Sequence, residues 1–233
     1  IQAIAEEEMP GVPVSLSSEV IPEMQEYERT ITTVANSYVR PTVASYVSAL
    51  QSDLRERLDD HSLHLLRSDG GLASAEAASS KPVNLLMSGP AGGVAGAIWV
   101  AQQAGYQNLL TFDMGGTSTD VSLCQGEPSR TAESSVGGLP IRLPVIDIHT
   151  VGAGGGSIAT VDDLGFLKVG PKSAGSEPGP AAYGRGGKTA TVTDADFTLG
   201  YLNPDYFAMG MLKTDTKWKA KSTAYLMPVA WVS

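Results

Sequence analysis

Between Leu109 and Leu123 the chain reads LLTFDMGGTSTDVSL: an apolar run closes on Asp113, passes Gly115 and Gly116, then Thr117, Ser118 and Thr119, and meets Asp120 before turning apolar again. That order suits phosphate. A phosphate group takes several backbone N–H donors at once, and these approach it only where side chains are absent and φ is unrestricted. Gly115 and Gly116 clear the space, the three hydroxyls add donors, and Asp113 and Asp120 are positioned to hold Mg2+, directly or through water, and to orient a nucleophile. A plain tight hairpin also explains Gly-Gly between two β-type runs, but it leaves the flanking acids and the hydroxyl triplet unexplained.

Two further glycine clusters belong to the same picture. VGAGGGSIA, Val151 to Ala159, contains Gly152, Gly154, Gly155 and Gly156. Three consecutive glycines lose much backbone entropy on folding, so this reads as a backbone-lined ligand surface rather than a linker. SGPAGG, Ser88 to Gly93, precedes a helical pattern and would put N–H groups at the positive end of a helix dipole. It lacks the Lys-Ser/Thr of a P-loop and the spacing of a dinucleotide fingerprint, and is either an anion site or a close helix-to-strand packing turn.

Other residues with possible chemistry are few. Asp147 and His149 alternate on one expected strand and share a face; they are either two metal ligands or a histidine hydrogen-bonded beside the site, the more common role. His61 and His64 fall in a polar connection and are expected to face solvent. Cys124, in the strand after the glycine turn, reads as a small buried hydrophobe rather than a nucleophile.

The elements that would position these groups alternate between helix and strand, which points to an α/β fold. Ile31, Val34, Tyr38, Pro41, Val43, Val47, Leu50, Leu54 and Leu58 recur at helical spacing, predicting two helices or one bent near Pro41. SLHLLRS predicts a short strand, Asp69-Gly70-Gly71 a turn, and LASAEAASS a short helix. PVNLLMSGPAGGVAGAIWVAQQAGY predicts a strand, a glycine turn and a helix over about 91–104 closed by Gly105. From Leu109 to Val169 β-type segments alternate with glycine turns. SAGSEPGPAAYGRGG then predicts an irregular loop and TVTDADFTLGYLN a helix capped near Asp194.

Composition narrows the function classes. With 233 residues, 42% hydrophobic and 18% charged, the chain can bury a sizeable core and reads as soluble and globular. A net charge of −9 with scattered acids offers no basic footprint for nucleic acid or an anionic membrane. The single cysteine excludes an internal disulfide, and no stretch approaches the roughly 18 apolar residues of a membrane span, so the cytoplasm is the expected compartment. The opening residues IQAIAEEEMPGVPVSLSSEV have neither an initiator Met nor a signal-peptide pattern, which is the expectation for an internal piece of a longer polypeptide.

Taken together, TFDMGGTSTDVSL, SGPAGGVAGA, DIHTVGAGGGSIA, VGPKSAGSEPGPAAYGRGG and TVTDADFTLGYLNPDYF resemble the hydantoinase A family from about Val14 to Phe207. Its members are ATP-dependent N-methylhydantoinases and 5-oxoprolinases, with related subunits of acetone and acetophenone carboxylases. The resemblance implies an α/β, actin-like and sugar-kinase-like ATPase fold of two ribonuclease-H-like lobes, with ATP and Mg2+ between them and a DxGGT hairpin near the start of each lobe. Only one such hairpin occurs here. The chain thus resembles the second lobe without the N-terminal one, divided as 1–60 linker and helical segment, 61–207 ATPase lobe and 208–233 atypical tail.

On this resemblance Asp113, Gly115, Gly116, Thr117 and Asp120 match the phosphate turn, and Gly152 to Gly156 match the second glycine cluster. The implied activity is ATP-driven opening of a cyclic amide such as a hydantoin or 5-oxoproline, with a hydantoinase B-type companion subunit. Two other readings stay open: the nucleotide-handling subunit of a ketone carboxylase, and a non-catalytic lobe. Departures from the family pattern are Ser18 at a usual histidine position and Ala182 at a usual cysteine, which removes two donors from any Zn2+ site. After NPDYFAMGMLKTD the resemblance is expected to end, with TKWKAKSTAYLMPVAWVS an altered or truncated tail.

Overall fold

The computed structural model describes residues 1–59 and 62–207, so His61 and the tail from residue 208 lie outside the described residues. The chain divides into two compact units, one of residues 1–111 and 122–148, the other of residues 112–121 and the chain from 149 onward.

The first unit is built on one long helix. Short helices α1 (Gln2–Glu8) and α2 (Ser17–Val20) lead into α3 (Glu26–Arg57), which runs through Pro41 as a single helix. Glu26 and Glu28 in its first turn and Arg55 and Arg57 in its last complement the helix dipole at both ends. The face it buries differs from the apolar stripe expected. Tyr38 is 85% exposed and Val34 59%, whereas Thr32 and Asn36 are fully buried. Asn36 Nδ2 donates to the Ser80 carbonyl at 3.3 Å and to Ser15 Oγ at 3.1 Å, while its Oδ1 accepts the Val83 amide at 3.3 Å. Thr32 Oγ1 accepts the amide of Arg142 at 3.1 Å. These polar residues face inward because they satisfy backbone groups that burial would otherwise leave unpaired.

Beyond α3, β1 (His64–Leu66) pairs antiparallel with β2 (Leu72–Ser74) across the Asp69 turn, where Asp69 Oδ1 accepts the Gly71 amide at 2.9 Å. His64 is exposed, as expected. The segment predicted as one short helix is split at Ser74, whose hydroxyl caps α4 (Ala75–Ser80) by accepting the Ala77 amide. No strand forms before the next helix. Pro82–Leu85 is a 3-10 turn instead, since Pro82 fixes φ at its first position and Ser68 holds the Asn84 carbonyl through both its amide and its hydroxyl.

Helix α5 (Ser88–Gln103) starts earlier than predicted and takes SGPAGG into its first turns. Pro90 is tolerated there because the opening N–H groups of a helix have no intrahelical partner. A Cβ at Gly92 would lie 2.9 Å from Leu66 Cδ2, a contact that a shift of the Leu66 side chain relieves.

The following strands are β3 (Asn108–Met114), β4 (Thr119–Gln125), β5 (Glu127–Pro128), β6 (Arg130–Val136) and β7 (Leu139–Ile146). Gly137 and Gly138, at φ 60° and 80°, form the two-residue turn of the β6–β7 hairpin. Ile141, Leu143 and Val145 alternate along β7 into a core with Val20, Ile21 and Val83, against which Ile31 and Ala35 of α3 pack. Helix α3 thereby contributes to the first unit's core. A second core holds Cys124, fully buried among Ala91, Val94 and Ile146.

In the second unit β8 (His149–Val151) pairs antiparallel with residues 119–121 of β4, and β9 (Ser157–Val161) pairs with β10 (Leu167–Ser173). The stretch after β10 is irregular apart from a 3-10 turn at Ala181–Tyr183, and α6 (Val192–Leu199) follows. Thr191 and Asp194 form the capping box expected at its start. Asp194 is fully buried and accepts from the Ala182 amide at 2.8 Å, the Thr191 amide at 2.9 Å and the Thr191 hydroxyl at 2.7 Å. The interleaving of helices and strands bears out the α/β class. Among the described residues no helix is long and apolar enough to cross a membrane.

Candidate phosphate-binding site

Residues Gly115 to Ser118 join β3 to β4, and the Gly115 amide closes the turn by donating to the Ser118 carbonyl at 2.9 Å. Neither Gly115 nor Gly116 has a positive φ, which corrects the expectation that the turn draws on glycine's backbone freedom. Its distinguishing property is open space. A Cβ on Gly116 would meet nothing within 4 Å, and one on Gly115 only the Ser118 carbonyl at 3.6 Å. Among the described residues, the amides of Gly116, Thr117 and Ser118 donate to no protein acceptor, and the hydroxyls of Thr117 and Ser118 are likewise free. Thr119 differs. It is buried and its hydroxyl donates to the Ala153 carbonyl at 2.6 Å, so it braces the turn from inside rather than serving as a donor to a ligand.

The Gly152–Gly156 loop packs directly against this turn. Gly155 donates its amide to the Gly115 carbonyl at 2.9 Å and Gly156 donates to the Gly116 carbonyl at 2.7 Å. Gly154 donates to Ser157 Oγ at 2.8 Å. A Cβ on Gly154 would stand 2.6 Å from the Gly115 carbonyl oxygen and 2.7 Å from the Thr117 nitrogen; on Gly155, 2.6 Å from Thr193 Oγ1; on Gly156, 2.8 Å from the Gly116 carbonyl oxygen. Real Cβ atoms do not approach that closely, so close packing on the Gly115–Thr117 backbone accounts for Gly154 and Gly156, and the Thr193 side chain crowds Gly155. Their amides are engaged by the protein. Gly152 has ordinary room, its Cβ position 3.6 Å from Pro171 Cβ.

The acids are arranged unequally. Asp113 and Asp120 lie two residues outside the turn on either side, on the hydrogen-bonded neighbours β3 and β4. Asp113 is exposed, and its carboxylate has no hydrogen bond or ion pair among the described residues. Asp120 is half-buried and accepts the Thr150 hydroxyl on Oδ1 at 2.6 Å, from the position directly opposite it on β8. Thr150 carries no signal in the sequence; only the β4–β8 pairing brings it to Asp120.

Asp147 and His149 do not share a strand. Asp147 lies in the connection after β7, where its amide donates to the Ser129 carbonyl and its carbonyl accepts the Ser122 hydroxyl, each at 2.8 Å, while His149 begins β8. The alternation that suggested a shared face is interrupted by the end of β7. Among the described residues no group of three or more His, Cys, Asp or Glu forms that would hold a metal ion. Ser18 is exposed on α2, and Ala182 is buried with its amide on Asp194.

A sequence profile of the family described as hydantoinase/oxoprolinase matches residues 29–226. The chain belongs to the hydantoinase/oxoprolinase family. The match continues past residue 215 and so overturns the expectation that family resemblance ends there, although that stretch lies outside the described residues. The caprolactamase subunit alpha of Pseudomonas jessenii is 43% identical over 195 residues, covering 83% of this chain and 28% of that protein. 5-Oxoprolinase 1 of Arabidopsis thaliana is 40% identical, covering 83% of this chain and 15% of its own length. The crystal structure of the ATP-dependent caprolactamase from Pseudomonas jessenii superposes with a TM-score of 0.78 at 40% identity, over 95% of this chain and 32% of that one. A nucleotide-free acetone carboxylase, from work on ATP-dependent acetone carboxylation, gives 0.74 at 31% identity over 98% of this chain and 32% of that one. This hydantoinase/oxoprolinase chain thus spans about a third or less of the length of the relatives it matches.

Proposed function

We propose that this chain is the phosphate-binding portion of an ATP-dependent enzyme that opens a cyclic amide. The observation that carries this reading is the turn at Gly116–Ser118, where three amides and two hydroxyls are without protein acceptors beside the open carboxylate of Asp113. Such a nest of donors fits a phosphate, and an oxygen-donor acid beside it fits Mg2+, a hard cation that keeps much of its water shell. In this reading Gly116, Thr117 and Ser118 bind phosphate oxygens, while Asp113 and Asp120 hold Mg2+ or its waters.

An amide carbonyl is shielded from water by resonance. Transfer of the γ-phosphoryl group to the amide oxygen removes that protection and opens the carbon to attack, so the task of the surrounding residues is positioning and charge neutralisation. The amide reading is preferred over ketone carboxylation because the caprolactamase is the more similar of the two structures, at 40% against 31% identity. A hydantoinase B-type companion chain and a cytoplasmic setting belong to this proposal, supported by relatives named as enzyme subunits, among them the acetophenone carboxylase gamma subunit of Aromatoleum aromaticum.

Calorimetric titration with Mg-ATP tests the reading. The chain is expected to bind at about millimolar Kd, corresponding to roughly −4 kcal/mol. Gly116→Ala, which meets no protein atom, should leave the thermal midpoint unchanged and weaken ATP about tenfold or more, because the methyl occupies the anion's place. Asp113→Asn should weaken the Mg2+ dependence. Full affinity in both variants rejects the site. Turnover is not expected from this chain alone, since fixing nucleotide, metal and acceptor in line takes more contacts than the turn supplies; phosphate release that Asp113→Asn abolishes would refute this.

A further inference from the structure

We infer that the Gly154–Gly156 loop is an orienting clamp: by holding the carbonyls of Gly115 and Gly116 from one side, it turns the amides of Gly116 and Thr117 outward as anion donors. This inference rests on the phosphate reading of the turn and assigns the second glycine cluster a different part in it.

Two peptide planes set the direction of these amides. A trans peptide is flat, with its C=O and N–H pointing in opposite directions. The only cis bonds among the described residues precede Pro171 and Pro178, so the 115–116 and 116–117 peptides are trans. The first plane has its carbonyl, on Gly115, held by the Gly155 amide at 2.9 Å; the second has its carbonyl, on Gly116, held by the Gly156 amide at 2.7 Å. Fixing each oxygen toward the loop fixes the attached nitrogen's hydrogen away from it. The two N–H groups so directed, on Gly116 and Thr117, are among those without a protein acceptor.

Gly154 supplies the closeness this requires. A Cβ there would be 2.8 Å from the Gly116 carbonyl carbon and 2.7 Å from the Thr117 nitrogen, near-equal distances that place the Gly154 backbone over the 116–117 peptide. The clamp is itself anchored. The Gly155 carbonyl accepts the Thr193 amide and the Gly156 carbonyl accepts the Ala174 amide, each at 2.8 Å. Thr193 lies in the first turn of α6, whose start is fixed by the Thr191–Asp194 capping box. Preorganised donors bind an anion without paying to reorient when it arrives, and this chain of contacts is what holds them ready.

The test is an amide-resolved NMR titration of the chain with Mg-ATP. The Gly116 and Thr117 amide resonances are expected to move strongly and the Gly154, Gly155 and Gly156 amides to stay nearly fixed. Strong shifts at 154–156 with 116–117 unmoved would overturn the clamp while keeping the loop as a ligand surface. No response in either set at about 10 mM, well above the millimolar range expected, would sink the phosphate reading together with the clamp. Gly154→Ala should weaken ATP about tenfold and abolish the Gly116 and Thr117 shifts, while Gly96→Ala on α5, where a Cβ meets nothing within 4 Å, should change neither. Gly154→Ala with native affinity and native shifts would overturn the clamp on its own.

Discussion

Thr150 donates its hydroxyl to Asp120 Oδ1 at 2.6 Å from the directly opposed position on β8, and among the described residues the second carboxylate oxygen has no partner. A charge-assisted hydrogen bond to a carboxylate fixes its rotamer. If Asp120 steers Mg2+ or its waters, Thr150→Val should weaken Mg-ATP several-fold without changing affinity for metal-free ATP, and Thr150→Ser should restore it. Equal loss with and without Mg2+ would assign Thr150 a purely structural part.

Cys124 is fully buried between α5 and the strands it covers. Replacing its sulfur by a hydroxyl buries a polar group in an apolar site, so Cys124→Ser should destabilise the chain by about 1–3 kcal/mol. Urea unfolding reads this directly. The native thiol should also resist alkylation, and rapid labelling of folded protein would contradict its burial.

Asp194 accepts from Ala182, from the Thr191 amide and from the Thr191 hydroxyl without any exposure of its own. Asp194→Ala leaves those buried donors unpaired, a loss of about 3 kcal/mol at typical values for orphaned buried groups. The thermal midpoint should fall by many degrees, and ATP affinity should fall with it because α6 anchors the glycine clamp through Thr193. A midpoint within a degree or two of wild type would exclude this anchoring role.

Asp162 sits at the tip of the β9–β10 hairpin, where it accepts the Phe166 amide at 2.9 Å and the Leu164 amide at 3.0 Å, and pairs with Lys168 Nζ at 3.2 Å. The Phe166 amide bond holds its carboxyl below the ordinary aspartate range, partial desolvation opposes this, and Lys168 and Leu164 add to the lowering. A depressed carboxylate stabilises the fold above its unfolded pKa of about 4 and loses that contribution as pH falls through the folded value. The Asp162 carboxyl resonance should therefore titrate below about pH 4, and Lys168→Met should raise its midpoint. A midpoint at or above that of a model aspartate would be inconsistent with the turn as described.

Much of this protein follows from local sequence. The Asp69-Gly70-Gly71 turn, the Thr191–Asp194 capping box and the Gly115–Ser118 turn are made by side chains and backbone a few residues apart, so spacing alone reveals them. What local pattern could not reveal are relationships between distant segments. Helical periodicity suggested an apolar face with Val34 and Tyr38, but Thr32 and Asn36 are buried because Arg142 and Val83, far along the chain, bring amides that need acceptors. Three consecutive glycines read as a backbone-lined ligand surface. Tertiary packing sets Gly154 and Gly156 against the backbone of Gly115–Thr117, and so decides which amides face the protein and which are free among the described residues. The pairing of Thr150 with Asp120 and the separation of Asp147 from His149 were settled in the same way, by strand register and strand ends. Residue order fixes which groups are available, but hydrogen bonds between segments fix which way they point.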